Sequence, residues 1–354
     1  MKELVKICIV GGGNISNTRH IPALKKVKRA QIVGVISNRG DRAKRTADQH
    51  KIMNYNTLDT HKEDGGLRNL DWLNDVDAVV IGAPPREHFY LVKLFLNLGK
   101  HVLVEKPMTM NEKESKELIE LSKKKKKIFY VMHNFQYARN MQKLTEVIET
   151  KQHGDIVSIT EVQFTNHDRR LPEWYNDLPM GLFYDEAAHF LYLLEKHGGK
   201  VRIDNSYAVY DDDPSKNTPK TLNVGATAGK VPVTMVLNFN SPVCEWYYIV
   251  NFKKHIYMYD FFKDILIKLP TDNQHLAKDI LLNSIRHAIQ YWSQFVSNGA
   301  RMFSGRLLYG HQEVLHGFVE AVAGGKIDED LTAKNGHINV VAMNEIVNKA
   351  NRRK

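Results

Sequence analysis

Leu4-Val5-Lys6-Ile7-Cys8-Ile9-Val10-Gly11-Gly12-Gly13-Asn14-Ile15-Ser16 is the stretch that decides the fold. A short apolar run bounded by glycines predicts a strand buried on both faces. It leads into Gly11-x-Gly13-x-x-Ser16, and the spacing then predicts a helix over 15–27. Strand, glycine loop and helix in that order are the signature of a dinucleotide site. Gly11 permits the tight turn, Gly13 lets a pyrophosphate approach the backbone, and the helix N-terminus offers its free N–H groups to the phosphates. Ser16 stands where a third glycine is common, a small residue that allows close packing of helix on strand. Gly11, Gly13, Asn14 and Ile15 are the first expected cofactor contacts.

Outward from this loop, strands are predicted at 31–36, 77–81, 101–104 and 128–132, alternating with helical stretches. Gly99 stops one helix in the C′ position, and Asn111 with Glu114 reads as a capping box that opens the next. This rhythm predicts an α/β domain over 1–130, a Rossmann doubly wound parallel sheet. The second strand ends in Ser37-Asn38-Arg39, where an acidic residue would select NAD; Asp41 comes late. Ser37, Asn38 and Arg39, with Arg42, suit a 2′-phosphate and tilt the reading from NAD towards NADP. Beyond 130 the pattern changes. Strands are predicted at 155–165, 201–210, 222–228, 231–239 and 245–259, with helices near 184–196, 276–297 and 311–323 and one at the C-terminus. The region 131–354 is therefore expected to be an α+β domain for substrate binding and oligomerisation, with a large open, mainly antiparallel sheet.

The chain of 354 residues is 43% hydrophobic and 25% charged, the balance of an ordinary globular protein. No apolar stretch is long enough for a membrane helix, so no membrane partner is expected. The N-terminus enters a strand at once, leaving no room for a signal peptide, and two cysteines cannot form a disulfide framework. The cytoplasm is the expected compartment. The net charge of +10 owes much to Lys123–Lys127. These five lysines close a predicted helix, where they suit its dipole, and no aromatic residues interleave with them. Small anionic ligands rather than nucleic acid are the expected partners, and no metal is expected.

Two groups of residues carry chemistry. Glu105-Lys106-Pro107 follows a core strand at its C-terminal end, the edge where open α/β sheets bind ligands. Lys106 there can hydrogen-bond an oxygen being oxidised or reduced. Asp185 and His189, four apart at a helix start, lie on one face. His189 can take a hydroxyl proton and return it, and Asp185 can orient His189 or hold a substrate hydroxyl. Read alone, without the other motifs, the pair is a capping aspartate and a core histidine.

Together these motifs resemble the glucose–fructose oxidoreductase, inositol dehydrogenase and rhizopine-catabolism family (Gfo/Idh/MocA). The resemblance runs through Gly11–Ile15, His20-Ile21-Pro22-Ala23-Leu24, Ala83-Pro84-Pro85 with His88, Gly99–Pro107, Asp185, His189 and Asn335-Gly336. It implies a catalytic set of Lys106, Asp185 and His189, and adds Ala83, Pro84, His88, Glu105 and Lys106 to the cofactor contacts. It implies NAD(P)-dependent hydride transfer on a sugar, nucleotide sugar or cyclitol, and a homodimer or homotetramer built on the open sheet. The chain departs from the family at Pro179-Met180-Gly181, Ala187 and Gln136, which bears on substrate identity. Candidate substrate contacts are Asn134, Tyr137, Arg169, Arg170, Trp174 and Tyr175, beside Asp185 and His189. Arg169 and Arg170 read either as a phosphate or carboxylate site or as loop charges. Alternatives to net dehydrogenation are a redox-cycling lyase or glycosidase and a ligand-sensing regulator that kept the fold.

Overall fold

The computed structural model describes residues 2–59, 61–62, 64–166, 169, 172–211, 213, 216–272, 274–306 and 309–353. The chain divides into two compact units, Met1–Asn134 with His311–Val341 and Phe135–Gly310 with Ala342–Lys354.

The first unit holds β1 (Val5–Val10), α1 (Ile21–Leu24), β2 (Ala30–Ser37), α2 (Gly40–His50), β3 (Asn54–Thr57), α3 (Asp71–Asn74), β4 (Ala78–Ile81), α4 (Pro85–Asn97), β5 (His101–Val104), α5 (Glu112–Lys125) and β6 (Phe129–Val131). Its six strands are parallel in the order β3-β2-β1-β4-β5-β6. The order reverses between β1 and β4, which makes the glycine loop after β1 the topological switch point. Val5, Ile7, Cys8, Ile9 and Val10 are all buried, as a strand covered on both faces requires. The helix expected over 15–27 is shorter and broken. Ser16–His20 forms a π-helical turn, in which Ile21 N–H reaches back to Ser16 O, and α1 follows. Pro22 has no N–H to continue an α-helical ladder, and the wider turn absorbs the gap. Lys100 illustrates how the unit satisfies buried charge: its ammonium donates to the carbonyls of Leu73 (2.7 Å), Asn74 (3.2 Å) and Val76 (2.8 Å) at the end of α3. The lysine run closes α5 on the surface, with Lys123 paired to Glu120 at 2.8 Å.

The second unit contains α6 (Arg139–Glu149), β7 (Ile156–Asn166), α7 (Leu182–Glu186), α8 (Ala188–Gly198), β8 (Val201–Val209), β9 (Thr221–Ala228), β10 (Val231–Ser241), β11 (Glu245–Phe252), β12 (His255–Asp260), β13 (Ile265–Pro270) and α9 (Ala277–Phe303). The span 245–259, expected as one strand, is a hairpin turning at Lys253-Lys254. α10 (His311–Val322) then belongs to the first unit, α11 (Ala333–Lys349) runs across the division, and β14 (Ala350–Arg353) ends the described chain. The sheet order is β13-β12-β11-β7-β10-β9-β8-β14, antiparallel except for the β7–β10 and β8–β14 pairs.

The expected division at residue 130 needs correction, because 311–341 folds back onto the first unit. The Tyr130 and Phe318 rings lie 5.9 Å apart, Arg29 pairs with Glu320 at 2.8 Å, and Ser115 Oγ meets His337 Nδ1 at 2.7 Å. These contacts join residues some two hundred positions apart, which no local pattern announces.

Candidate functional site

In the first unit the expected cofactor residues gather at the C-terminal ends of β1, β4 and β5. The three loop glycines answer to different demands. Gly11 has φ +96°, and a Cβ there would sit 2.8 Å from Gly82 O. A Cβ on Gly12 would lie 2.8 Å from Thr46 Oγ1 and 3.1 Å from Arg42 O, so α2 packs directly on the loop. A Cβ on Gly13 would meet no protein atom closer than Gly82 O at 3.9 Å. Packing thus explains the first two glycines but not the third, whose open face fits a phosphate drawn to the backbone. Asn17, which the sequence reading missed, holds the loop: its amide donates to Gly12 O (3.1 Å) and Gly13 O (2.8 Å), and its Oδ1 meets His50 Nε2 at 3.0 Å. Ser16 is fully buried with its Oγ unpartnered, and a Cβ on Gly82 would lie 2.7 Å from that oxygen, the close packing its small size was expected to allow. Asn14 is exposed and Ile15 half-buried.

At the end of β2, Ser37 is buried while Asn38 and Arg39 are exposed. Arg39 donates from Nη2 to Asp41 at 3.1 Å and from Nε at 3.3 Å. Arg39 thus has Asp41 as a partner within the chain. The pair is solvated and weak, so an anion of higher charge can displace the carboxylate.

After β5, Glu105 is buried and receives His20 Nε2 at 2.8 Å. Burial on its own drives the Glu105 pKa up, but the His20 hydrogen bond and the charges of His20, His311 and Lys106 outweigh it and bring the carboxyl to about 2. Glu105 is also near the Lys106 backbone N–H, at 3.3 Å, so the carboxylate and its histidine organise the turn that carries the Lys106 side chain. The His88 ring lies between Pro107 O (2.7 Å) and Ala83 O (2.9 Å) and is fully buried, with burial depressing its pKa. With both nitrogens against backbone carbonyls, His88 ties the Ala83-Pro84 loop to the Lys106-Pro107 turn. The expected cofactor contact becomes a positioning role. Asn134 is buried at the start of the single turn Asn134–Tyr137, and Tyr137 is half-buried at its end.

In the second unit, α7 and α8 meet at Ala187, so the spacing from Asp185 to His189 spans a junction and not one continuous helix. Leu182 N–H donates to Thr218 Oγ1 at 2.9 Å and fixes the start of α7. His189 is buried against the ring of Phe135 (centroids 4.9 Å apart) and that of Trp246 (6.0 Å), and its Nδ1 lies 3.0 Å from Tyr192 Oη. Tyr192 Oη accepts the Phe135 N–H at 3.1 Å. Tyr192, Phe135 and Trp246 escaped the sequence reading; Tyr192, three residues after His189 on α8, was the accessible signal.

Arg169 is directed elsewhere than expected. It pairs with Glu186, which also accepts from Gln163 and, at 3.0 Å, from Thr165 Oγ1. A buried glutamate needs such a partner, so Arg169 serves the unit's own charge. Arg170 lies outside the described residues. Trp174 and Tyr175 are half-buried in the turn Glu173–Asp177.

A parallel sheet in the 3-2-1-4-5-6 order with an unpacked third glycine at its switch point defines the class, a dinucleotide-binding Rossmann protein. Residues 5–133 match the oxidoreductase family with an NAD-binding Rossmann fold, Gfo/Idh/MocA. It is 25% identical over 261 residues to a myo-inositol 2-dehydrogenase of Thermotoga maritima, covering 72% of this chain and 71% of that one. The WlbA dehydrogenase of Bordetella pertussis, solved with NADH and UDP-GlcNAcA, has the same fold (TM-score 0.77, 16% identity, 99% of this chain and 96% of that chain). So does KijD10, a 3-ketoreductase of Actinomadura kijaniata solved with NADP (TM-score 0.72, 14% identity, 99% and 98%). The chain spans 32% to 63% of the length of the first three curated relatives it matches. No helix among the described residues is long and apolar enough to cross a membrane.

Proposed function

We propose that this protein is an NAD(P)-dependent oxidoreductase that transfers a hydride between the nicotinamide and an alcohol or ketone of a sugar, nucleotide sugar or cyclitol. The observation that carries the reading is the glycine loop, where Gly11 and Gly12 answer to protein packing and Gly13 faces open space. The nicotinamide supplies the hydride acceptor or donor. Lys106, held by the Glu105 turn, hydrogen-bonds the reacting oxygen. His189 moves the hydroxyl proton, its ring held by the contact of Nδ1 with Tyr192 Oη. Asp185 orients the substrate hydroxyl, and Asn134, Tyr137, Trp174 and Tyr175 are the proposed walls for the ring. Inositol and nucleotide-sugar relatives support this substrate class. NADP is the favoured form in this reading, since Arg42 lies against the loop and Arg39 can exchange Asp41 for a 2′-phosphate.

The test is an absorbance screen of sugars, nucleotide sugars and cyclitols against both cofactors. Stoichiometric change in NAD(P)H supports the reading. Turnover with no net change points to redox cycling, and no turnover with any of them rejects the assignment.

A further inference from the structure

Helix α9 has its polar face inward. Gln294 accepts the Leu266 N–H (2.9 Å) and donates to Leu266 O (2.8 Å), while Gln290 accepts the Lys268 N–H (2.9 Å) and donates to Lys268 O (3.1 Å). Two glutamines one helical turn apart match two strand residues because four helical residues rise about 6 Å and two strand residues span about 6.6 Å. The outer edge of β13 is thereby capped by side-chain amides as another strand would cap it. Asn298 extends the set, donating to Lys263 O (2.8 Å) and Asp264 O (2.7 Å).

The opposite face is apolar and open. Leu281, Leu282, Ile285, Ile289, Trp292, Val296 and Phe303 recur at helical spacing, with Ile289 63%, Trp292 62% and Phe303 97% exposed. Trp292 packs edge-on against Phe295 at 5.7 Å and Tyr291 stacks on Phe295 at 6.2 Å, so the outward aromatics are already held in place. Gly299 lies along the same stripe with nothing within 4 Å of a Cβ built on it. Glycine weakens a helix interior, and here no packing within the chain calls for it.

We propose that this stripe is an interface with a second copy of this chain, the two α9 helices packing antiparallel about a two-fold axis near Gln290. In that register Leu281 meets the partner's Gly299 and Trp292 meets the partner's Ala288, each time a large side chain against a small one. The 27 residues of α9 extend about 40 Å. The exposed parts of the stripe amount to roughly 900 Å² per protomer, the size of a standard stable interface. A two-fold pairing buries the same surface on both partners, which a single self-complementary stripe requires. A membrane surface suits the helix less well. Interfacial helices carry a polar face rich in Lys and Arg, whereas on that face of α9, beside Arg286 and Arg301, Gln290 and Gln294 are committed to β13 and Asn298 to the turn before it. This surface is separate from the open sheet through which the family resemblance implies assembly, and the inference does not rest on the proposed activity.

Sedimentation of the full chain tests it. Ile289→Lys with Trp292→Lys should halve the assembly mass at micromolar concentration while circular dichroism and dinucleotide binding stay unchanged. As a second measurement that keeps the surface native, Ile289→Cys should form a disulfide-linked dimer on mild oxidation, and Leu276→Cys should not. An unchanged mass in the double variant, a monomeric parent chain, or no cross-link from Ile289→Cys overturns the proposal. So does a parent chain that stays monomeric and co-sediments with phosphatidylserine vesicles.

Discussion

Glu105 and Glu161 are both glutamates shut away from solvent, one in each unit, and their carboxyls are driven in opposite directions. Glu105 meets His20 and stays charged, its pKa about 2. Glu161, on β7, has neither oxygen hydrogen-bonded, and burial drives its pKa far above the ordinary 4.5. Burial is common to both; the partner decides. In the first unit a charge is kept in order to shape the Lys106 turn. In the second, a carboxyl is left without a hydrogen-bond partner in a core that also hides Gln163 and Thr165 on the same face of β7.

The largest expected effect comes from removing the charge that is kept. The folded pKa of Glu105 lies below its unfolded value, so its stabilisation is present above pH 4.5 and is lost as pH falls towards about 2. Glu105→Gln should cost about 3 kcal/mol at neutral pH and abolish that acid limb in thermal melts followed against pH. An unchanged melting temperature would mean that the His20 pair contributes nothing. Next, Lys106→Ala and His189→Ala should each lower turnover at least ~10²-fold with dinucleotide affinity nearly intact, measured by steady-state kinetics beside a binding titration. Near-full activity in either would remove that residue from its role. Glu161→Gln should act in the opposite sense to Glu105→Gln. A raised folded pKa costs stability increasingly as pH rises above 4.5, so the amide should raise the melting temperature at neutral pH and flatten that limb. A loss of stability would show that the carboxyl itself supports the core. The smallest effect concerns Arg39. Arg39→Ala should weaken NADP binding several-fold (~1 kcal/mol) and leave NAD unchanged, because only the 2′-phosphate competes with Asp41.

The same pair shows how far the sequence can be read. Glu105 sits in a contiguous motif at a strand end, so its location, the parallel sheet and the glycine loop were all legible in short stretches. On β7 the expected alternation is present, but its polar residues face inward: Glu161, Gln163 and Thr165 are buried while Val162 and Phe164 are half-exposed. Helix α9 repeats the inversion. Hydrophobic periodicity identifies an element; it does not say which face turns in when a buried polar network or an edge strand claims the other. The His20–Glu105 and Arg169–Glu186 pairs were hidden for a related reason, since each joins residues that only the finished fold brings together. Pro22 carried the signal for the π-helical turn, which periodicity alone passed over.

The most direct measurement is a fluorescence titration of NADPH and NADH against the parent chain and Gly13→Val. No protein atom lies within 3.9 Å of a Cβ at Gly13, so the variant should fold with an unchanged melting temperature. It should nevertheless lose dinucleotide binding by at least ~10²-fold, as the added side chain fills the space a pyrophosphate would take. A variant that binds as tightly as the parent would contradict the assignment of this loop.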